Sequence, residues 1–198
     1  MKLIAIPGTS SDQSTNRTLL QYMQKRYGDQ VDIEILEIKD WPMFTKSQDR
    51  SLPDAVVEAA DKIKAADGVV ISTPEYNHSF PAALTSALGW LSYGIYPFVN
   101  KPVLIVGASY GRLGSSRAQA QLRSALNAEE LQARKMPANE FLLGYSLDAF
   151  DEEGNLVYEN KVNELDEVFH NFCDFMTMSK KFEGRAAVVK NEDKFNWE

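Results

Sequence analysis

The sequence predicts a doubly wound α/β fold: a five-stranded parallel sheet of order 2-1-3-4-5, with helices on both faces, in a single domain. Three observations carry this expectation. Short apolar runs alternate with helical patterns five times along the chain. The first, third and fourth runs are apolar throughout, as strands covered on both faces require. The length of 198 residues suits one domain at roughly 150 residues each, and right-handed crossovers then place helices on both sides of the sheet.

The elements follow in order. Leu3-Ile4-Ala5-Ile6 is a buried strand. From Asn16 to Tyr27, Leu19, Leu20, Met23 and Tyr27 recur at helical spacing. Val31, Ile33, Ile35 and Ile38 mark a second strand. A helix over 55–66 carries Val56, Ala59, Ala60 and Ile63 inward, with Pro53 early in it, where a first-turn N–H lacks a partner anyway. Gly68 to Thr73 is the third strand, Pro81 to Leu91 a helix, and Val103 to Val106 the fourth strand. Ser115 to Leu126 is a helix with Ala118, Leu122, Ala125 and Leu126 on one face. Glu140-Phe141-Leu142-Leu143 is a weaker fifth strand, and a helix from Lys161 to Met178 closes the domain, expected to span residues 1–178. Residues 179–198 read as a polar tail, either disordered or packed on a neighbouring subunit through Phe195 and Trp197.

Composition narrows the function. The 21 basic and 28 acidic residues leave a formal net charge of −7. That balance argues against a nucleic-acid binder, which needs a basic footprint, and against an anionic membrane surface as partner. A single cysteine, Cys173, leaves no intramolecular disulfide and no CxxC site; among three phenylalanines of the last helix it reads as a buried, inert thiol. Two histidines, His78 and His170, cannot form a His-rich metal centre, and no metal is expected. The N-terminal apolar run is too short for a signal peptide, and no stretch approaches the ~18 apolar residues of a membrane span. A soluble cytoplasmic protein is expected.

In such a sheet, ligands bind outside the carboxyl ends of the strands. Three loops there stand out. Residues 7–16, Pro-Gly-Thr-Ser-Ser-Asp-Gln-Ser-Thr-Asn, offer five hydroxyls and an amide at a helix start. They carry neither GxGxxG nor GK[ST], so a dinucleotide fingerprint and a P-loop are both missing. Hydroxyls beside a helix N-terminus suit a phosphate monoester; ordinary capping explains the same residue types. Residues 73–81 place Tyr76 and Asn77 between Pro74 and Pro81, a pinned loop that offers a flat face and an amide; a tyrosine filling the core is the competing reading. Residues 107–115 contain Gly107, Gly111 and Gly114, which let backbone approach a ligand or simply supply positive φ. One polar loop suits a phosphate and two suit a planar heteroaromatic; FMN has both parts.

At these residues the chain resembles the NADPH-dependent FMN reductase family of flavodoxin-like proteins, which includes flavin, quinone, azo-dye and chromate reductases. The resemblance spans roughly residues 2–178. The motif G-[ST]-x-x-x-x-S-x-N stands as Gly8 to Asn16, T-P-E-Y-N as Thr73 to Asn77, and G-x-S-x-G-x-x-G as Gly107 to Gly114, followed by Arg117-Ala118-Gln119. The resemblance implies that Thr9, Ser11, Ser14 and Asn16, with Ser10 and Thr15 beside them, contact the FMN phosphate. It implies that Pro74, Glu75, Tyr76 and Asn77 lie along the isoalloxazine and ribityl chain, and that Ser109, Tyr110 and Gly111 approach the ring. The chain departs from the pattern at Leu84-Thr85-Ser86-Ala87-Leu88-Gly89-Trp90, where many relatives read L-K-N-A-I-D-W, and at Ser11-Asp12, near where relatives often carry an arginine.

The activity implied is hydride transfer from NADPH or NADH to FMN and onward reduction of a small-molecule acceptor: a flavin, quinone, azo compound or similar. A homodimer or homotetramer is implied as well. The chemistry would belong to the cofactor, so no catalytic side chain is expected. His78 could protonate a quinone oxygen and Arg112 could meet a 2′-phosphate, though solvated bystanders are common in such loops. Trp41-Pro42-Met43-Phe44 reads as an interface, a substrate wall or packing under a loop. The alternative function is a flavodoxin-type electron carrier or a non-catalytic flavin-binding module.

Overall fold

The computed structural model describes residues 1–47, 49–137 and 140–182. Its elements are β1 (Lys2–Pro7), α1 (Thr15–Tyr27), β2 (Asp32–Ile35), α2 (Asp54–Ala65), β3 (Gly68–Ser72), α3 (Ala82–Leu91), β4 (Pro102–Ala108), α4 (Ser116–Ala125), β5 (Arg134–Lys135), β6 (Phe141–Leu143) and α5 (Glu159–Lys180). These strands pair in parallel throughout. The order is β2-β1-β3-β4, with β5 and β6 both beside β4.

The apolar strands divide their side chains between two cores, because successive residues of a strand point to opposite faces. Leu3, Ala5, Val70, Leu104 and Val106 pack under α1 and α5, where Tyr27 stacks on Phe169 with centroids 3.8 Å apart. Ile4, Ile6, Ile71, Val103 and Ile105 face the other way, against Val56 and Ile63 of α2, Leu88 of α3 and Leu122 of α4. Each buried valine, leucine, isoleucine or phenylalanine among them contributes about 1.5–3 kcal/mol.

The fifth strand differs from the expectation. Its position is filled by two pieces, β5 beside Pro102 and Val103 and β6 beside Val106 to Ala108. The Arg134 and Met136 N–H groups bond the Lys101 and Val103 carbonyls, and β6 takes up the edge of β4 again at Phe141. The second strand is shorter than expected: Val31 and Ile38 are buried but lie outside it. Pro53 is not inside α2; it stands just before its first turn. The last helix runs on through Ser179 and Lys180, fastened by the Arg134 guanidinium to the Ser179 carbonyl (2.8 Å) and by Lys180 to Asp67 (2.6 Å). Phe195 and Trp197 lie outside the described residues.

The Trp41-to-Phe44 cluster packs on α3. The Trp90 indole donates to the Pro42 carbonyl (2.8 Å), and the Phe44 N–H donates to Ser86 Oγ (2.7 Å). The Phe44 ring meets Trp90 edge-on at 5.0 Å and fills a notch that a Cβ on Gly89 would close, at 2.7 Å. Two departures from the family pattern, Ser86 and Gly89, are therefore the seat of this loop. Cys173 is half-buried rather than enclosed, and burial pushes its thiol pKa up. Among the described residues, no helix is long and apolar enough to cross a membrane.

Candidate functional site

The three loops converge at the carboxyl rim of β1, β3 and β4. In the first, local bonds occupy much of the polar chemistry. Thr9 is buried, its hydroxyl accepting from the Ser11 N–H (3.1 Å); Ser11 donates its own hydroxyl to the Gln13 carbonyl (2.8 Å); Ser10 is exposed. Ser14 caps α1, accepting from the Arg17 N–H, so the first-turn N–H groups of Thr15 and Asn16 have no helical partner by position. Thr15 pairs with Ser146 through their hydroxyls (2.8 Å). Asn16 is 2% exposed and turned inward. Its Nδ2 donates to the Ala108 carbonyl, and its Oδ1 accepts from the Ala108 N–H and from Ser72 Oγ.

Arg17, which the sequence did not single out, reaches back to hold this loop. It donates to the Ser11 and Asp12 carbonyls and forms a two-pronged pair with Glu37 (2.6 and 2.9 Å). Asp12 points outward to Lys39 (2.5 Å), whose bond and charge hold its carboxyl below the usual carboxylate range. Its charge is thereby drawn away from the helix start.

The second loop is a tight turn. Tyr76 and Ser79 exchange both backbone bonds (2.9 and 3.0 Å), and Asn77 and His78 between them have φ of 52° and 66°. Two successive left-handed residues make a type I′ turn, which asparagine favours. The turn lifts Tyr76 to 54% exposure. Pro74 and Glu75 precede it. Burial would push the Glu75 carboxyl up, but bonds from Arg117 and from the Arg117 and Ala118 N–H groups hold it below the usual range.

The third loop begins beside a close approach. A Cβ on Gly107 would lie 1.9 Å from Ser115 Oγ and 2.6 Å from the Thr73 carbonyl. Ser109 donates its N–H to the Leu143 carbonyl and its hydroxyl to the Gly111 carbonyl, and Tyr110 stands 61% exposed. Gln119 of α4 is fully buried, and its Oε1 has no hydrogen-bond partner among the described residues.

Together the loops enclose a cleft of about 490 Å³, within the ~300–1,000 Å³ of small-molecule sites. Nine of the expected residues line it: Ser14, Thr15 and Asn16, then Pro74, Glu75 and Tyr76, then Ser109, Tyr110 and Gly111. Thr9, Ser10, Ser11 and Asn77 do not, for they serve the loops' own turns or face outward. Gln13, Leu113 and Arg117 line it without having been anticipated; Arg117 lies 42 residues from its partner Glu75, beyond any local signal. Arg112 is also on the wall, and its guanidinium makes no ion pair among the described residues.

The chain is similar to known proteins along most of its length. Residues 1–148 match the family description "NADPH-dependent FMN reductase". The NADH:(hydroxy)cinnamate reductase subunit CrdA of Vibrio ruber is 50% identical over 198 residues, covering 100% of this chain and 98% of that one. The NADH-dependent flavin reductase subunit 2 of Lactobacillus johnsonii is 42% identical, covering 91% and 100%. Among solved structures, the flavoenzyme NAD(P)H:(acceptor) oxidoreductase FerB of Paracoccus denitrificans superposes with a TM-score of 0.79 at 26% identity, covering 90% and 98%.

Proposed function

Because the chain belongs to the NADPH-dependent FMN reductase family, we propose that the rim cleft holds FMN and that the protein is an NAD(P)H-dependent oxidoreductase passing electrons to a small-molecule acceptor. The observation that carries this reading is the three-loop cleft, polar at one end and aromatic at the other. Its donor set fits the group. The first turn of α1 offers N–H groups with Ser14 and Thr15 hydroxyls beside them. The carboxylate on the wall, Glu75, is already neutralised by Arg117. Asp12, the acidic residue of the first loop, is turned to Lys39.

When bound, FMN would supply the redox chemistry between NAD(P)H and the acceptor. The chain's own groups bind and orient. Helix-terminal N–H groups and hydroxyls would take the phosphate, with the α1 dipole favouring its charge. Tyr76 and Tyr110 offer flat faces from the second and third loops for a planar ring. Arg112, which makes no ion pair among the described residues, is placed to meet an anionic group of the incoming nucleotide. No side chain needs to move a proton.

The names of the two relatives above include the word subunit. This favours a chain that works joined to a second polypeptide, its own copy or another. With NAD(P)H as reductant, the cytoplasm is the compartment that fits.

Titration of the flavin-free chain with FMN, followed by anaerobic rapid mixing with NADH and with NADPH, tests the reading. Saturable uptake and bleaching of the flavin bands are expected. Lack of uptake overturns it, and uptake without bleaching favours an electron carrier.

A further inference from the structure

The helix that follows the third loop lacks a cap of its own. Ser115 precedes α4 in the left-handed conformation, φ 69°, and its side chain caps nothing. The N–H groups of Arg117 and Ala118 donate instead to Glu75 Oε2, at 3.0 and 3.3 Å, from the second loop. The Arg117 side chain closes on the same carboxylate through Nε (2.6 Å) and Nη2 (2.5 Å). The Glu75 side chain is 8% exposed, although the loop around it faces the cleft. One turn on, Gln121 fastens the same loop a second time. It accepts from Ser79 Oγ (2.7 Å) and donates to the His78 carbonyl (2.9 Å). Arg117 and Gln121 are four apart and share a helix face.

We propose that Glu75 is a positioning residue: by capping α4 from the neighbouring loop, it couples the second and third loops and so fixes the width of the cleft between Tyr76 and Tyr110. The inference rests on the cleft being the FMN site only for its consequence, because the coupling is made by the chain's own residues. A carboxylate is the right group for the task. It accepts from two helix-terminal N–H groups and a guanidinium at once, and it complements the positive end of the helix dipole. Gln121 then holds the type I′ turn at its far side, so the turn carrying Tyr76 is seated at both ends on one helix.

Amide hydrogen exchange on the flavin-free full-length chain tests the coupling. Glu75→Gln, which keeps the shape and one acceptor, is expected to raise exchange by about threefold, and Glu75→Ala by about fivefold to tenfold. The rise should appear both in the first turn of α4 and at the Tyr76 and Ser79 amides. Gln121→Ala should raise exchange in the turn alone. A Glu75→Gln chain whose exchange rises only in α4 overturns the proposal, because Glu75 is then a helix cap and nothing more. Unchanged exchange in both segments overturns it equally.

A second readout is FMN itself. Glu75→Gln should raise the FMN dissociation constant about tenfold and reduce the visible circular dichroism of the bound flavin. Wild-type values in both would also overturn the proposal. A wild-type chain that takes up no FMN defeats the flavin reading instead, and the exchange measurement still decides the coupling.

Discussion

Asn16 pairs with the backbone of Ala108 as a neighbouring strand would. Its amide donates to the Ala108 carbonyl and accepts from the Ala108 N–H, each at 2.9 Å, across 92 residues of sequence. The same oxygen takes the Ser72 hydroxyl at 2.8 Å. One side chain at the start of α1 thus ties together the ends of β3 and β4, and the floor of the cleft is a hydrogen-bonded plate.

Asn16→Leu should therefore damage stability more than a surface cap would. It leaves the Ala108 groups and the Ser72 hydroxyl buried without partners, at a cost of about 2–4 kcal/mol. Asn16→Asp keeps the acceptor but loses the donor and places a charge at the floor, so it should fall as far. Urea denaturation measures both; a change below about 0.5 kcal/mol in either would contradict the role given to the Asn16 bonds.

The glycines of the third loop should behave differently from one another. Gly107→Ala drives a methyl group into Ser115 Oγ and the Thr73 carbonyl, so a loss of FMN uptake and of stability is expected. Adding Ser115→Ala should not restore it, because the carbonyl stays 2.6 Å away. Gly111 has nothing within 4 Å of its Cβ direction, and Gly111→Ala should be tolerated to within about 0.5 kcal/mol. Thermal melts of the four chains check the contrast.

Acid should destabilise the protein through Asp166 and Glu75. The bonds from Arg26 and the Tyr27 hydroxyl hold the Asp166 carboxyl below its ordinary range, and Glu75 is also lowered. A carboxylate lowered in the folded state adds stability above its unfolded pKa, and that stability is lost as pH falls through the folded value. Melting temperature should hold steady from neutral pH down to the ordinary carboxylate range and decline below it. Asp166→Asn should cost about 1–3 kcal/mol at pH 7 and flatten the acid limb. An unchanged acid limb in that variant would count against the assignment.

The loop seated on α3 predicts a coupled pair. Gly89→Ala pushes a methyl group into the Phe44 ring and should destabilise by about 1–3 kcal/mol, with a shift in Trp90 fluorescence. Phe44→Ala should relieve most of that added cost, so the two changes together should cost less than their sum. Strict additivity would show that Phe44 does not occupy the notch.

The sequence by itself determined the sheet, its strand order, the two cores and the rim on which the three loops meet. The elements follow from apolar periodicity, which is local and survives without knowledge of partners; their order follows from right-handed crossovers and the match to a known doubly wound topology. It also marked Ser14, Tyr76, Ser109 and Tyr110, whose places on the cleft wall follow from being in those loops. Only the tertiary structure decided which polar groups turn inward to serve the protein. Asn16 and Glu75 carry the same chemistry as ligand contacts, yet the structure gives them to Ala108 and to Arg117. It also separated Gly107, which admits no methyl group, from Gly111, which does, and it added β5 beside β4 ahead of the expected fifth strand. The reason is common to all of these. A hydrogen bond or a steric clash is settled by the group opposite, and here that group comes from an adjoining element of the fold rather than from the neighbours in sequence.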